Sequence, residues 1–511
     1  MSSLSEQESR LKSTEVEETQ VDYQDQEEIQ DESDKGELDK HELDRIYRKL
    51  DLRIIPALWV LYFLTSFGSN SFGLTFTMNS EVGHSLTQSL NLTSKDTSTA
   101  SALSTVGFII FDVPMNLIMT KVSPQSWLAR IVITVGLVST CYCALKNAGG
   151  LITIRFIDGI VGAGTWPGMS YYVSLWYPND RATRRIGYYF TAAQLSAAVA
   201  GLVSAGFQTI DENRGFYGWQ WMFLTQGVIT MAAGISFLWW LPDRPFKIVK
   251  QSENKFRTFY NRYFTPSHPL NEIERELHRK DIEYRYKLLK WTWRDLVAII
   301  TDLRIWPLIM MYFGVVGTGV GLAVFGSTII KVNNPHLTSI QVSLLYAPIW
   351  LFDLGGILTI TPFADKYKKF RPLIFCGACV IIIVGLIVAT FAHGPWNKYA
   401  GLLITGYGLG PTVPICMSWS AEIFFARYGD VGTAVSAALV SGLGNLGSVT
   451  ATYALYSGWP EDKARLYRDS NMMLVLITGV SIIACGVCYL IKDKVRQEIP
   501  VEKEEEIVEY T

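Results

Sequence analysis

The chain has 511 residues, of which 49% are hydrophobic, 13% aromatic and 18% charged, with a formal net charge of −2. A charged share well below the roughly 25% of a typical soluble domain, with apolar residues gathered in runs of about 20, places the chain among membrane proteins. Collagen-like, disordered and disulfide-scaffold classes are excluded, and the near-zero charge leaves no surplus for a nucleic-acid binder.

In chain order, residues 1–44 are rich in Glu, Asp, Gln and Ser and read as a solvated, disordered tail. No basic segment followed by a short apolar core precedes the first span, so the tail is not a signal peptide. Apolar stretches then begin near Ile54, Ala102, Leu128, Leu151, Ile186, Trp219, Ile305, Leu344, Leu373, Tyr399, Gly432 and Met472. The expected fold is an all-α integral membrane protein with twelve transmembrane helices. Asp112 and Pro114 interrupt the second stretch and Asp353 the eighth, yet both remain long enough to cross a hydrocarbon core of about 30 Å.

The spans divide six and six, at 45–241 and 299–492, around a linker at 242–298, and an acidic tail follows at 493–511. Lys and Arg collect in the linker, at Arg181, Arg184 and Arg185, and at Lys366, Lys368, Lys369 and Arg371, which by the positive-inside rule puts both termini in the cytoplasm. The sequon Asn91-Leu92-Thr93 then falls in the first outward loop, where glycosylation is chemically possible. The linker's Lys247, Lys250, Lys255, Arg257, Arg262, Arg279, Lys280, Arg285, Lys287 and Lys290, interleaved with tyrosines, suit anionic lipid headgroups better than nucleic acid.

Cys376-x-x-Cys379 and Cys485-x-x-Cys488 have the spacing of a zinc site, but both pairs sit inside apolar stretches and read as small packing residues. All six histidines fall in tails, loops or span ends, so an intramembrane enzyme with a catalytic imidazole lacks its base. No cofactor or metal is called for.

Several segments taken together resemble the major facilitator superfamily, and within it the anion:cation symporters of the fungal allantoate permease type. They are Arg48-Lys49-Leu50-Asp51-Leu52-Arg53-Ile54-Ile55-Pro56, Phe111-Asp112-Val113-Pro114-Met115-Asn116, Arg155-Phe156 with Gly159 and Ala163-Gly164-Thr165-Trp166-Pro167-Gly168, Gly218-Trp219-Gln220-Trp221-Met222-Phe223, and Leu241-Pro242-Asp243-Arg244-Pro245. Asp365-Lys366-Tyr367-Lys368-Lys369 is similar to the superfamily's loop between spans eight and nine, a cytoplasmic gate loop with Asp365, Lys366 and Lys369 as its charged members. The resemblance implies two six-helix bundles that rock about a site near the midplane, a fold with inverted repeats.

The same resemblance leads one to expect an Asp-Arg or Asp-Lys pair at the positions of Gly68 and Ser69, a Glu at Gly162 and a Glu at Gln226. All are neutral here. The ionisable groups left inside the spans are Asp112, Arg155, Asp158, Asp353 and, near a span end, Glu422, each expected to face the bundle interior. Arg155 and Asp158 have the spacing at which helix side chains meet. Asp158 either replaces the missing glutamate in the cavity, with Arg155 as its partner, or locks a helix near the outer surface. Asp353 is a proton-coupling candidate, able to hold a proton in one conformation and release it in the other, or else a structural aspartate. For Asp112, also a coupling candidate, gating or helix anchoring is the preferred role. Substrate-binding candidates are Arg155, Asn70, Tyr172, Gln194, Gln226, Tyr312, Tyr346 and Trp419, in which aromatics suit a flat or apolar body and amides or hydroxyls its polar end.

The sequence, read with the resemblance, thus points to a monomeric secondary transporter in a plasma membrane or else an endomembrane, importing with protons a small carboxylate-bearing nutrient of the class that the resemblance implies: a vitamin-like monocarboxylate, an allantoate-like ureide or an amino-acid-like acid. An uncoupled facilitator of a neutral solute and a non-transporting nutrient sensor stand as alternatives.

Overall fold

A computed structural model describes residues 41–245, 269–285 and 293–491. The tails at 1–40 and 492–511, and the linker residues Lys247, Lys250, Lys255, Arg257, Arg262, Lys287 and Lys290, lie outside the described residues.

With no water in the bilayer core, each crossing segment must satisfy its own backbone, and helices do so. The first bundle consists of α1 (His41–Leu74), α2 (Ser94–Lys121), α3 (Pro124–Cys141), α4 (Ala148–Gly162), α5 (Thr165–Trp176), α6 (Asn179–Gln208) and α7 (Gly218–Trp240). Two short linker helices follow, α8 (Glu272–Arg285) and α9 (Trp293–Thr301). The second bundle holds α10 (Ile305–Asn333), α11 (Ser339–Lys366), α12 (Arg371–Phe391), α13 (Pro395–Gly444) and α14 (Arg468–Ile491). Among the described residues there is no strand.

The helix count and the crossing count differ in two places. Span four is two half-helices, α4 and α5, broken at Ala163–Gly164. Conversely, α13 supplies two spans: a Cβ on Gly432 would stand 2.6 Å from the carbonyl oxygen of Phe424, eight residues earlier, where a straight helix would separate them by about 12 Å. The chain therefore reverses there, and span eleven continues through Leu446–Val449 into a π-helical turn at Thr450–Leu455. Twelve crossings result, and nine helical segments among the described residues are long and apolar enough to cross by composition alone.

Local signals set the starts. Thr93 Oγ1 accepts the Asp96 N–H at 3.2 Å while Asp96 Oδ2 accepts the Thr93 N–H at 2.9 Å, and Thr338 with Gln341 repeats the reciprocal cap at α11. Pro124 and Pro395 open α3 and α13 at a position that needs no N–H.

Helices pack backbone to backbone in both bundles, and one such crossing recurs in each. In the first, a Cβ on Gly159 of α4 would collide with the Ser104 carbonyl of α2, and one on Gly107 would stand 2.9 Å from the Phe156 carbonyl. In the second, a Cβ on Gly410 of α13 would collide with the Asp353 carbonyl of α11, and one on Gly356 with the Tyr407 carbonyl. The two crossings share one register, in which Asp353 occupies the place of Ser104 and Gly410 that of Gly159.

The end bearing the first residues of α1 and the last of α14 is called the near end, the opposite one the far end. Hydrogen bonds that cross between the bundles gather in the far half: Lys331 Nζ and the Ser339 N–H both donate to Glu81 Oε1, at 3.0 and 2.9 Å, Gln208 Nε2 donates to Ser343 Oγ at 2.9 Å, and Ser327 Oγ to the Gly73 carbonyl at 2.9 Å. Gly73 and Gly201 let the backbones of α10 and α11 come this close. At the near end the bonds among the described residues stay inside a bundle, as in Arg185 to Asp51 and Arg371 to Glu422 at 2.7 Å. Outside the spans, the Arg181 guanidinium donates to Asp44 at 2.6 Å and holds its carboxyl below the ordinary carboxylate range. Linker helix α8 docks on the same near end through Tyr47 to Asp281, Lys49 to Glu274, and the His278 ring Nε2 against the Trp176 carbonyl, while Arg279 and Lys280 stay exposed.

Two outcomes follow from the packing. Gly159→Val, which forces α2 and α4 apart, lowers the melting temperature of the detergent-solubilised protein by several degrees, an overpacking cost of about 1–3 kcal/mol; an unchanged melting curve contradicts the contact. Glu81→Ala removes one ion pair and one capped N–H from the far-end seam, so Ala347→Cys, buried there, reacts several-fold faster with a maleimide in the Glu81→Ala background. Equal rates would show that Glu81 does not hold the seam.

Candidate functional site

The midplane features come from spans two, four, eight and ten. Asp353, at the middle of α11, is 2% exposed, and its Oδ1 meets no hydrogen-bond partner among the described residues. A Cβ on Gly410 would stand 2.7 Å from that oxygen, so the carboxyl lies in the seam between α11 and α13. There Pro411 and Pro414, inside the helix, remove the N–H groups that the Tyr407 and Gly410 carbonyls would otherwise meet. A carboxylate held this way is costly as a bare charge, and protonation relieves the cost.

Span four is interrupted at the level where span ten carries its prolines. Gly164 has φ +79°, a left-handed conformation open to glycine, and its N–H donates to Asp112 Oδ1 of α2 at 2.9 Å. A discontinuous helix near the midplane is where transporters place binding groups, and here the break is in span four, while span ten runs helical through Pro411 and Pro414. Gly162, just before the break, has open space around its Cβ position, and the buried Trp166 Nε1 just after it has no described partner.

Arg155 and Asp158 do meet, Nη1 to Oδ2 at 3.3 Å, in α4, the far half of span four. Tyr142 at the end of α3 donates to the same Oδ2 at 3.3 Å, and the Arg155 guanidinium lies 4.0 Å from the Phe72 ring centroid. Asp158 is thus committed to two partners, unlike Asp353.

Gln226 lies behind α1 rather than between the bundles. A Cβ on Gly68 would stand 2.8 Å from Gln226 Nε2 and 3.4 Å from Ser139 Oγ, and neither end of the Gln226 amide has a described partner. The departures at Gly68 and Gln226 are therefore one exchange: the glutamine fills the volume that a side chain at 68 would need.

The other candidates are dispersed. Asn70 Nδ2 donates to Ser196 Oγ at 2.9 Å and ties α1 to α6. Tyr172 sits at the near end with its hydroxyl donating to the Pro242 carbonyl at 2.5 Å, and the Tyr346 hydroxyl donates to the Ala323 carbonyl at 3.0 Å. Tyr312 packs on Gly444, Trp419 is in the second core, and Gln194 is half-buried in α6. At the end of α11 and in the loop after it, Lys366 and Lys369 are exposed, and the ion pair beside them joins the buried Arg371 to the exposed Glu422. Sequence reasoning missed Tyr142, the break at Gly164 and the Glu81 contacts; the Gly162-Ala163-Gly164 run before Pro167 was the available signal for the break. Among the described residues no group of three or more His, Cys, Asp or Glu is placed to hold a metal ion.

Residues 58–452 match the family model described as Major Facilitator Superfamily. The chain is 46% identical over 453 residues to Vitamin H transporter 1 of Schizosaccharomyces pombe, a match covering 87% of this chain and 79% of that one. It is 42% identical over 464 residues to the uncharacterized transporter C1B3.15C of the same organism, covering 88% and 72%. In fold it is similar to a bacterial homologue of the human lysosomal transporter Spinster, in an inward-facing and unoccupied conformation, with TM-score 0.61 at 12% identity over 86% of this chain and 96% of that one. The nucleoside transporter NupG gives a TM-score of 0.56 at 12% identity, over 86% of this chain and 99% of that one. The family match over 58–452 and the 46% identity, on an all-helical fold, have one conclusion: the chain belongs to the Major Facilitator Superfamily and is a multi-pass membrane transporter, not an enzyme.

Proposed function

We propose that this transporter imports a small carboxylate-bearing nutrient of the vitamin H kind together with protons, by alternating access, and that it stands with the anion:cation symporters of the allantoate permease type. The observation that carries the reading is the 46% identity to Vitamin H transporter 1 along 453 residues. Neutral residues at Gly68 and Ser69, where a cation is expected from the resemblance, favour one carboxylate over two. Arg155 is then the buried cation nearest to the break in span four along the chain, and Asp353 is the coupling group, because its carboxyl has no described partner to neutralise it. Asn70, Gln194, Tyr312 and Trp419 are assigned to the solute's walls.

The bundles' contacts in the far half support a state open toward the near end. The basic residues at Arg181, Arg184, Arg185, Lys368 and Lys369 support a cytoplasmic near end, and the plasma membrane is the assigned compartment. The protein acts as a monomer in this reading.

The test is uptake of labelled vitamin H by cells or vesicles carrying the protein under an imposed pH gradient. One pH unit is worth at most about tenfold accumulation per coupled proton. The native chain accumulates the label when the outside is acidic, and Asp353→Asn loses accumulation while retaining exchange of labelled for unlabelled solute. Gradient-driven accumulation in Asp353→Asn would remove Asp353 from the coupling step. Uptake of neutral solutes with no uptake of any carboxylate would overturn the substrate reading.

A further inference from the structure

Span four is built as two levers with different attachments. Its far half, α4, rides on α2 through the backbone contacts at Gly159 and Gly107. Its near half, α5, is fixed at its other end to the linker region, through the Tyr172 hydroxyl on the Pro242 carbonyl at 2.5 Å and the Trp176 carbonyl against His278 at 2.9 Å. Between them the backbone changes direction: Ala163 is extended at ψ 143°, Gly164 is left-handed at φ +79°, and the regular helix resumes at Thr165.

Such a break strands backbone groups in a region without water, and each must find a substitute. Thr165 Oγ1 donates to the Gly162 carbonyl at 2.6 Å, and the Ala163 N–H keeps its helical bond to the Gly159 carbonyl at 3.0 Å while also reaching the Ile160 carbonyl at 3.3 Å. The Gly164 N–H instead leaves its own helix and donates to Asp112 Oδ1, across the interface, at 2.9 Å. Asp112 is 2% exposed and stands on α2 at the level of the break, past the tight contact at Ser104. In the shared register of the two bundles, the position of Asp112 falls to Thr361. That side chain has a buried Oγ1 without a described partner, and span ten stays helical opposite it, so the second bundle has no equivalent tie.

We propose that Asp112 is a positioning residue, whose carboxylate oxygen caps the Gly164 N–H and so fixes the angle between the two halves of span four through which the midplane site and the near-end linker helix are coupled. The role needs an acceptor at Oδ1, not a titrating proton, and it separates Asp112 from Asp353. It rests on the chain's being a transporter and not on the identity of the solute.

Two readouts test it. Hydrogen exchange of the purified full-length protein, followed in peptides covering residues 160–170, does not need a substrate. Asp112→Ala raises the exchange rate at the break by about tenfold or more, the loss expected for a buried N–H without its acceptor, whereas Asp112→Asn, whose amide oxygen still accepts, stays near the native rate. Vitamin H uptake, where the native chain shows it, falls in Vmax with KM unchanged in Asp112→Ala and is retained within about twofold in Asp112→Asn. Should Asp112→Ala fail to reach the membrane, Gly164→Ala keeps the acceptor but strains the left-handed backbone, and it shows the same fast exchange and the same loss of Vmax. Unchanged exchange in both Asp112→Ala and Gly164→Ala would overturn the cap. Fast exchange with native uptake would overturn its part in transport, and equal loss in Asp112→Asn and Asp112→Ala would show that the charge, not the acceptor, is what matters. A native chain that fails to take up vitamin H overturns the substrate reading alone, since the exchange comparison stands by itself.

Discussion

The structure depends on one constraint: inside a bilayer every polar group must be satisfied by the protein itself. That constraint makes the described chain helical throughout, and it turns each departure from a plain apolar helix into a feature that needs a partner. Most departures have one. Arg155 and Asp158 pair with each other and with Tyr142, and Asn70 is tied to Ser196. The break at Gly164 is met by Asp112, which closes the account of span four's stranded N–H. Asp353 and Gln226 are the conspicuous residues for which the described neighbours supply nothing at Oδ1 or at the amide. The glutamine's neutral amide tolerates that state at lower cost than a carboxylate would, so Asp353 is the group on which a protonation cycle is most naturally placed.

The two bundles make the comparison sharper because they share a register. The crossing of α2 with α4 and that of α11 with α13 use glycines in matched positions to bring backbones together. What differs is the chemistry placed on that common frame: a serine in the first bundle where the second has Asp353, and a glycine break with a carboxylate cap where the second has two prolines. One frame therefore yields a lever in one half and a carboxyl beside proline-freed carbonyls in the other. The far-half contacts at Glu81, Gln208 and Gly73 hold the halves together on one side, and among the described residues the near-end bonds stay within each bundle.

Much of this was legible in the sequence, for reasons that are physical. A span is a run of apolar residues, a local property, so all twelve starting points fall within helices. The Arg155–Asp158 contact follows from helical spacing, and Asp353 stood out because an acid in mid-span is rare. What stayed hidden was long-range or conformational. Nothing local shows that Gln226 lies over Gly68, that Glu81 reaches Lys331, or that Tyr142 joins Asp158. The break at Gly164 was masked because glycine-rich spans commonly remain helical, and Tyr172, a substrate-binding candidate by residue type, lies at the near end beside Pro242. The helix α8 was read for its charge, and its buried face of His278 and Ile282 against the first bundle went unseen.

The central proposal is that the Asp353 carboxyl, lacking a described partner, carries the exchangeable proton. Infrared difference spectra of the purified protein against its Asp353→Asn variant, across a pH titration, address it directly. The account requires a protonated carboxylic acid C=O band at neutral pH that is absent from the variant and that weakens when the near end is closed by bound solute. A difference spectrum showing an ionised carboxylate at neutral pH, unchanged by solute, would contradict it.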